Sequence, residues 1–155
     1  NGSAAFAADH PEIVEGLQVL LNQDNGTGRI ATINLEGFTH AEGIFREWLS
    51  QVPEELGGEI ELRAPGVPSG GSSDHASFVC YGAPAFFLSS LSWDYGTYTW
   101  HTNLDTFDKL ALDEVQNNAR LVAMLAYLAA EHPEKFPRDR AVEDWPTCRT
   151  PARSR

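Results

Sequence analysis

The sequence predicts an α/β layered fold with a largely parallel sheet, and three observations carry that prediction. Short apolar runs rich in β-branched residues, such as residues 29–35 (RIATINL), are bounded by glycines and read as strands. Segments with apolar residues three and four apart read as helices. The two kinds alternate along the chain instead of falling into blocks, which favours helices crossing over a common sheet. The 155 residues, 42% of them hydrophobic, are enough for one core and too few for two ordinary domains.

Each element follows from its residues. Residues 11–22 (PEIVEGLQVLLN) place Ile13, Val14, Leu17, Leu20 and Leu21 at helical spacing, and Pro11 stands near the start, where its missing N–H costs least. Asp24 to Gly28 (DNGTG) is a turn cluster. The strand over 29–35 is almost continuously apolar, as suits a sheet covered on both faces. Residues 39–51 form a helix with Ile44, Phe45, Trp48 and Leu49 as one stripe, and residues 59–62 read as a short strand. The Pro, Gly and Ser of residues 64–73 mark a loop. A short helix follows over 74–81, capped by Ser73 or Asp74, and Gly82-Ala83-Pro84 separates it from a buried strand over 85–88. Residues 89–106 are a long loop loaded with Trp93, Tyr95, Tyr98 and Trp100, and long ordered loops are usually functional. Residues 113–131 form the strongest helix, with Val115, Leu121, Val122, Leu125 and Leu128 on one face and acidic residues in its first turn.

Charge divides the chain at about residue 131. Eleven basic against 22 acidic side chains give a net −11. Residues 132–155 hold six basic and four acidic groups, so residues 1–131 carry five and 18, net −13. A body this acidic repels phosphates, which argues against a nucleic-acid partner or an anionic membrane surface. No apolar stretch approaches the roughly 20 residues that cross a bilayer, and the opening residues show no basic-then-apolar leader. The 132–155 segment, rich in Pro and Arg, lacks apolar periodicity and reads as an extended or partly disordered appendage. Cys80 and Cys148 permit at most one internal disulfide, and the absence of a C-x-x-C pair disfavours a thiolate zinc site.

Four features could carry chemistry. Ser72-Ser73-Asp74-His75 sets a serine, an acid and a histidine side by side, but adjacent residues cannot form a triad, and no Gly-x-Ser-x-Gly elbow occurs. His101 lies among aromatics with Asp105 four residues on; an imidazole there is either a metal ligand or, as spacing alone favours, a packed loop histidine. Glu36 follows directly on a strand, where sites of open α/β sheets are built, although a solvated loop glutamate fits the same position. The aromatics Phe86, Phe87, Trp93, Tyr95, Tyr98 and Trp100 divide between core and pocket wall. No phosphate-cradling glycine pattern occurs.

Taken in order, the segments resemble the zinc-dependent aminopeptidases and carboxypeptidases of the M28 family. The resemblance rests on Gly2-Ser3-Ala4-Ala5-Phe6, Ile33-Asn34-Leu35-Glu36-Gly37, Ser73-Asp74-His75-Ala76-Ser77-Phe78, Gly82-Ala83-Pro84-Ala85 and His101-Thr102-x-x-Asp105-Thr106. It covers residues 1 to about 131. It implies a three-layer α/β/α sandwich with a mixed, mostly parallel sheet and two zinc ions. By the same resemblance Glu36 ligates one zinc and His101 the other. Asp74 and His75 shape the loop near the site, and Asp105 supports the metal from behind or caps the following helix. Phe87, Trp93 and Trp100 line the pocket for the substrate's side chain. The implied partner is a peptide, cleaved at a terminal bond by a metal-activated water.

The chain departs from the family in one respect. In relatives a His ligand, a bridging Asp and a Glu-Glu pair that includes the catalytic base precede the Gly-Ser-x-x-Phe stretch. The base is therefore expected upstream of Asn1, and no catalytic residue is expected within the chain. Residues 1–131 are expected to be the C-terminal part of the catalytic domain, inactive alone and completed by an upstream segment. A non-catalytic binding module of the same fold, or an enzyme resembling the zinc cyclases of N-terminal glutamine, is the alternative. A secreted or periplasmic location is the expectation drawn from relatives.

Overall fold

The computed structural model describes residues 2–71 and 73–148. Asn1, the residue before which the catalytic base is expected, lies outside the described residues. In chain order the elements are α1 (Gly2–Asp9), α2 (Pro11–Gly16), β1 (Leu20–Asn22), β2 (Ile30–Asn34), α3 (Ala41–Leu49), α4 (Glu54–Gly57), β3 (Glu61–Arg63), α5 (Ala76–Val79), β4 (Ala85–Ser90) and α6 (Leu112–Glu131). A π-helical turn at Tyr95–Thr99 and a 3-10 turn at Phe107–Lys109 lie between β4 and α6. The four strands form one sheet in the order β1-β4-β2-β3. The outer pairs, β1 with β4 and β2 with β3, are parallel, and the central pair of β2 with β4 is antiparallel. The sheet is thus mixed and mostly parallel. Its one antiparallel junction has a large consequence: β1 and β4 point their carboxyl ends to one edge, β2 and β3 to the other.

Strand alternation sorts the side chains into three layers. On β4, Phe86 and Leu88 face a core shared with Ile33, Phe45, Trp48, Leu121 and Leu125, beneath α3 and α6. Ala85 faces a second core with Ala7, Val14, Phe78 and Val79, beneath α1, α2 and α5. Helices therefore cover both faces of the sheet. Phe45 meets Phe86 edge-on at 4.9 Å and Trp48 at 5.2 Å, the geometry that aligns positive ring edges with negative faces. Asn118 of α6 is buried yet satisfied, accepting from the Ile30 N–H at 2.9 Å and donating to the Gly28 carbonyl at 2.8 Å.

Two local expectations change, and one element is added. The helix expected over 11–22 stops at Gly16, Leu17 is extended, and residues 20–22 become strand β1. The Val19-Leu20-Leu21 run suits either period, and pairing Leu20 with Ala85 and Leu21 with Phe86 decides it. The freed carbonyls of Val14, Glu15 and Leu17 are collected by the Arg138 guanidinium at 2.8–3.2 Å. The helix expected over 74–81 shortens to α5, with His75 at its cap position and no side-chain capping bond from Ser73 or Asp74. α4 is a single turn, too short to leave a periodic signature.

The 132–148 segment is extended, but it is docked along the body. Phe136 is buried against Phe38, Phe45, Trp48 and Phe86. The Thr39 N–H donates to the Asp139 carbonyl and the Ala141 N–H to the Gly37 carbonyl. Trp145 donates its indole N–H to the Val79 carbonyl and carries the Arg140 guanidinium 4.3 Å above its ring. A disulfide joins Cys148 to Cys80 at the end of α5. These anchors stand at irregular spacing, so no periodicity announces them. The expected disorder over 149–155 falls outside the described residues.

Candidate functional site

The site is built where β1 and β4 leave the sheet. Past β1 come Gln23, Asp24 and Asn25; past β4 comes the aromatic loop. Side chains lace the two exits together: Gln23 donates to Ser90 Oγ at 2.8 Å, the Ser90 N–H donates to Asn25 Oδ1 at 3.0 Å, and the Tyr95 hydroxyl donates to the Asp24 carbonyl at 3.2 Å. Gly28 is required by this closeness, because a Cβ there would run into the Leu91 carbonyl oxygen.

Between the exits opens a cleft of about 550 Å³ lined by Asp24, Asn25, Ser73, Phe87, Tyr95, Trp100, His101 and Asp105. A second hollow of about 360 Å³ adjoins it, sharing Asp24, Tyr95 and Asp105 and walled by Trp93. Four residues nominated from sequence, Phe87, Trp100, His101 and Asp105, therefore converge, and Trp93 stands next door. His101 and Trp93 carry positive φ, 58° and 33°, and the loop between them contains the π-helical turn. Strain and π-turns of this kind concentrate at functional sites. Burial, then the negative charges of Asp24 and Asp105, push the Tyr95 phenol above its ordinary pKa, so both carboxylates bear on one spot. Asp105 does not cap α6: the cap position is Ala111, whose N–H is taken by Thr27 Oγ1.

Glu36 does not line this cleft. It follows β2, and the antiparallel junction sends that carboxyl end to the opposite edge of the sheet. The side chain is fully buried, at φ 52°, and its carboxylate is enclosed by donors. Asn34 Nδ2 donates to Oε1 at 2.7 Å, the Ser69 N–H to Oε2 at 2.6 Å and the Ser69 hydroxyl to Oε1 at 3.1 Å. His75, also fully buried, sets Nε2 2.8 Å from Ser69 Oγ and 3.4 Å from Glu36 Oε1, and stacks on Phe87 with centroids 5.0 Å apart. Asp74 is exposed on the flank of this group. Ser72 of the Ser72-to-His75 motif lies outside the described residues, as does Asn1 at the point where the expected upstream ligands would join.

The cleft carboxylate that sequence reasoning missed is Asp24. The signal was present: Leu20-Leu21-Asn22-Gln23-Asp24 repeats the form of Thr32-Ile33-Asn34-Leu35-Glu36, an apolar strand followed by Asn-x-acid. It was hidden because Asp24-Asn25-Gly26 is equally a turn signal. Asp24 and His101 are donors of the O and N kind that zinc takes, and no other side chain of the described residues takes Asp24 Oδ1. They fit a zinc ion in kind and fall short in number, since among the described residues no three His, Cys, Asp or Glu side chains group to hold a metal.

A helix-flanked mixed sheet with a polar cleft beside one of its edges is the architecture of many hydrolases, and comparison narrows the class. The model of peptidase family M28 matches residues 1–126. The chain belongs to peptidase family M28. No curated protein matches it.

Proposed function

We propose that this chain forms part of a zinc-dependent exopeptidase, with Asp24 and His101 on the metal side of the cleft. The observation that carries the reading is their convergence, with Asp105 and aromatic walls, in one cleft of a peptidase-family fold. The assignment moves the carboxylate from Glu36, which is enclosed by donors, to Asp24, which is exposed on the cleft. When bound, zinc lowers the pKa of its water toward about 7 and polarises the scissile carbonyl.

The chain's own residues do the rest of the work assigned to it. Asp24 and His101 hold the metal from two strand exits. Phe87, Trp93 and Trp100 offer apolar surface for the terminal side chain of a peptide. Asp24 and Asp105 give the cleft a negative field that attracts a cationic chain terminus. Two donors are too few for a catalytic zinc, so further ligands and the proton-carrying carboxylate come from polypeptide beyond these 155 residues, and the chain alone is inactive. The Cys80–Cys148 disulfide supports an oxidising compartment, secreted or periplasmic.

The test is release of terminal residues from a peptide mixture by the full-length protein, followed by mass spectrometry. Release that stops on chelation of zinc and in His101→Ala supports the reading. Release that survives both overturns it.

A further inference from the structure

One continuous chain of side-chain hydrogen bonds crosses the sheet from Glu36 to Asp24. Its scaffold is a row of paired residues: Asn22 of β1 sits beside Phe87 of β4, and Phe87 beside Asn34 of β2. His75 lies over that row, stacked on Phe87. Asn22 Nδ2 stands 2.6 Å from Ser73 Oγ and 3.3 Å from His75 Nδ1. Ser73 Oγ stands 2.5 Å from Asp24 Oδ2.

The hydrogens can be assigned throughout. The Asp24 carboxylate only accepts, so Ser73 spends its single hydroxyl hydrogen there. Ser73 must then accept from Asn22, which fixes Nδ2 as the atom facing it. The second Nδ2 hydrogen goes to His75 Nδ1, making that nitrogen the acceptor and Nε2 the protonated one. Nε2–H donates to Ser69 Oγ, and Ser69 donates to Glu36. Asn22 is thus a hub that donates both ways, and each serine hydroxyl ends on a carboxylate.

We propose that Glu36, His75 and Asn22 are positioning residues: through Ser73 they pin Oδ2 of Asp24 and so present Oδ1 to the cleft. The inference rests on the placement of Asp24 at the metal, and it gives the buried Glu36–His75 pair a role that no contact with substrate requires. Groups that orient a ligand from behind commonly set metal affinity by 10–100-fold.

The experiment measures zinc affinity of the full-length protein by competition with a chromophoric chelator, and the His75 tautomer by ¹⁵N NMR on the metal-free protein. Ser73→Ala, at a half-buried loop position, is expected to weaken zinc binding by about 10–100-fold. Ser73→Thr, which restores the hydroxyl, is expected to keep it. His75→Phe, which keeps the stack on Phe87 and cuts the chain, is expected to weaken binding in the same direction, and His75 is expected as the Nε2–H tautomer. Zinc affinity unchanged in Ser73→Ala but lost in Asp24→Asn would overturn the relay and leave the metal assignment standing. An Nδ1–H tautomer would also overturn it. Affinity unchanged in Asp24→Asn would overturn the assignment of Asp24 itself.

Discussion

Replacing Glu36 by alanine tests whether its carboxylate holds the fold or serves a metal. The side chain is 0% exposed and receives three hydrogen bonds of 2.6–3.1 Å from Asn34 and Ser69. Truncation leaves the half-buried Ser69 N–H and hydroxyl and an Asn34 amide N–H without this acceptor, and leaves His75 facing the void. Each orphaned group costs about 1–3 kcal/mol. With three such groups, the loss is about 3–5 kcal/mol in all. For a chain of this size each kcal/mol moves Tm by roughly 2–4 °C, so a drop of about 10 °C is expected. The assay is urea and thermal unfolding of metal-free protein, with Glu47→Ala on the exposed side of α3 as the comparator, expected within about 0.5 kcal/mol of the parent. A Glu36→Ala loss below about 1 kcal/mol without metal, together with a large loss of zinc affinity, would refute the reasoning and restore Glu36 as a ligand.

Other perturbations follow from the same contacts. Reducing the Cys80–Cys148 bond, which closes a loop of sequence separation 68, should lower stability by as much as about 4 kcal/mol in the chain-entropy picture; an unchanged urea midpoint in reductant would contradict this. Arg138→Ala should uncap α2 and cost about 2–3 kcal/mol, with faster amide exchange over residues 11–16 as the local sign; exchange that is altered elsewhere and not there would contradict it. The Glu114 carboxyl is held below its usual range chiefly by its hydrogen bond from Arg29. That stability is present above the ordinary glutamate pKa and is lost as pH falls through the lowered one. Glu114→Gln should therefore flatten the acid limb of stability against pH slightly, the contribution being small because the pair is about a third exposed.

How much the sequence told depends on what each signal measures. The strand at 30–34 and the helices at 41–49 and 112–131 were legible because one periodicity dominates each. The split of residues 11–22 was not, because the Leu20-Leu21 pair satisfies helix and strand alike and only its partner Ala85-Phe86 decides. His101, Trp100, Phe87 and Asp105 were singled out through the family resemblance, and they line one cleft. Sequence reasoning looked for the carboxylate of this cleft at the exit of β2, whereas the structure lines the cleft with Asp24 from the exit of β1, because strand direction is not written locally. A mostly parallel sheet suggests that all carboxyl ends meet, and a single antiparallel junction between β2 and β4 parts Glu36 from His101. The docking of 132–148 was invisible for a related reason: Phe136 (against Phe38), Arg138, Trp145 and Cys148 each meet a partner more than 60 residues away.

The decisive question is which carboxylate faces the cation. Crystals of the full-length protein loaded with zinc, measured on both sides of the zinc absorption edge, answer it directly. The expected result is an anomalous peak about 2.0–2.2 Å from an Asp24 oxygen or a His101 nitrogen. A peak seated on Glu36, with Asp24 and His101 bare, would contradict it.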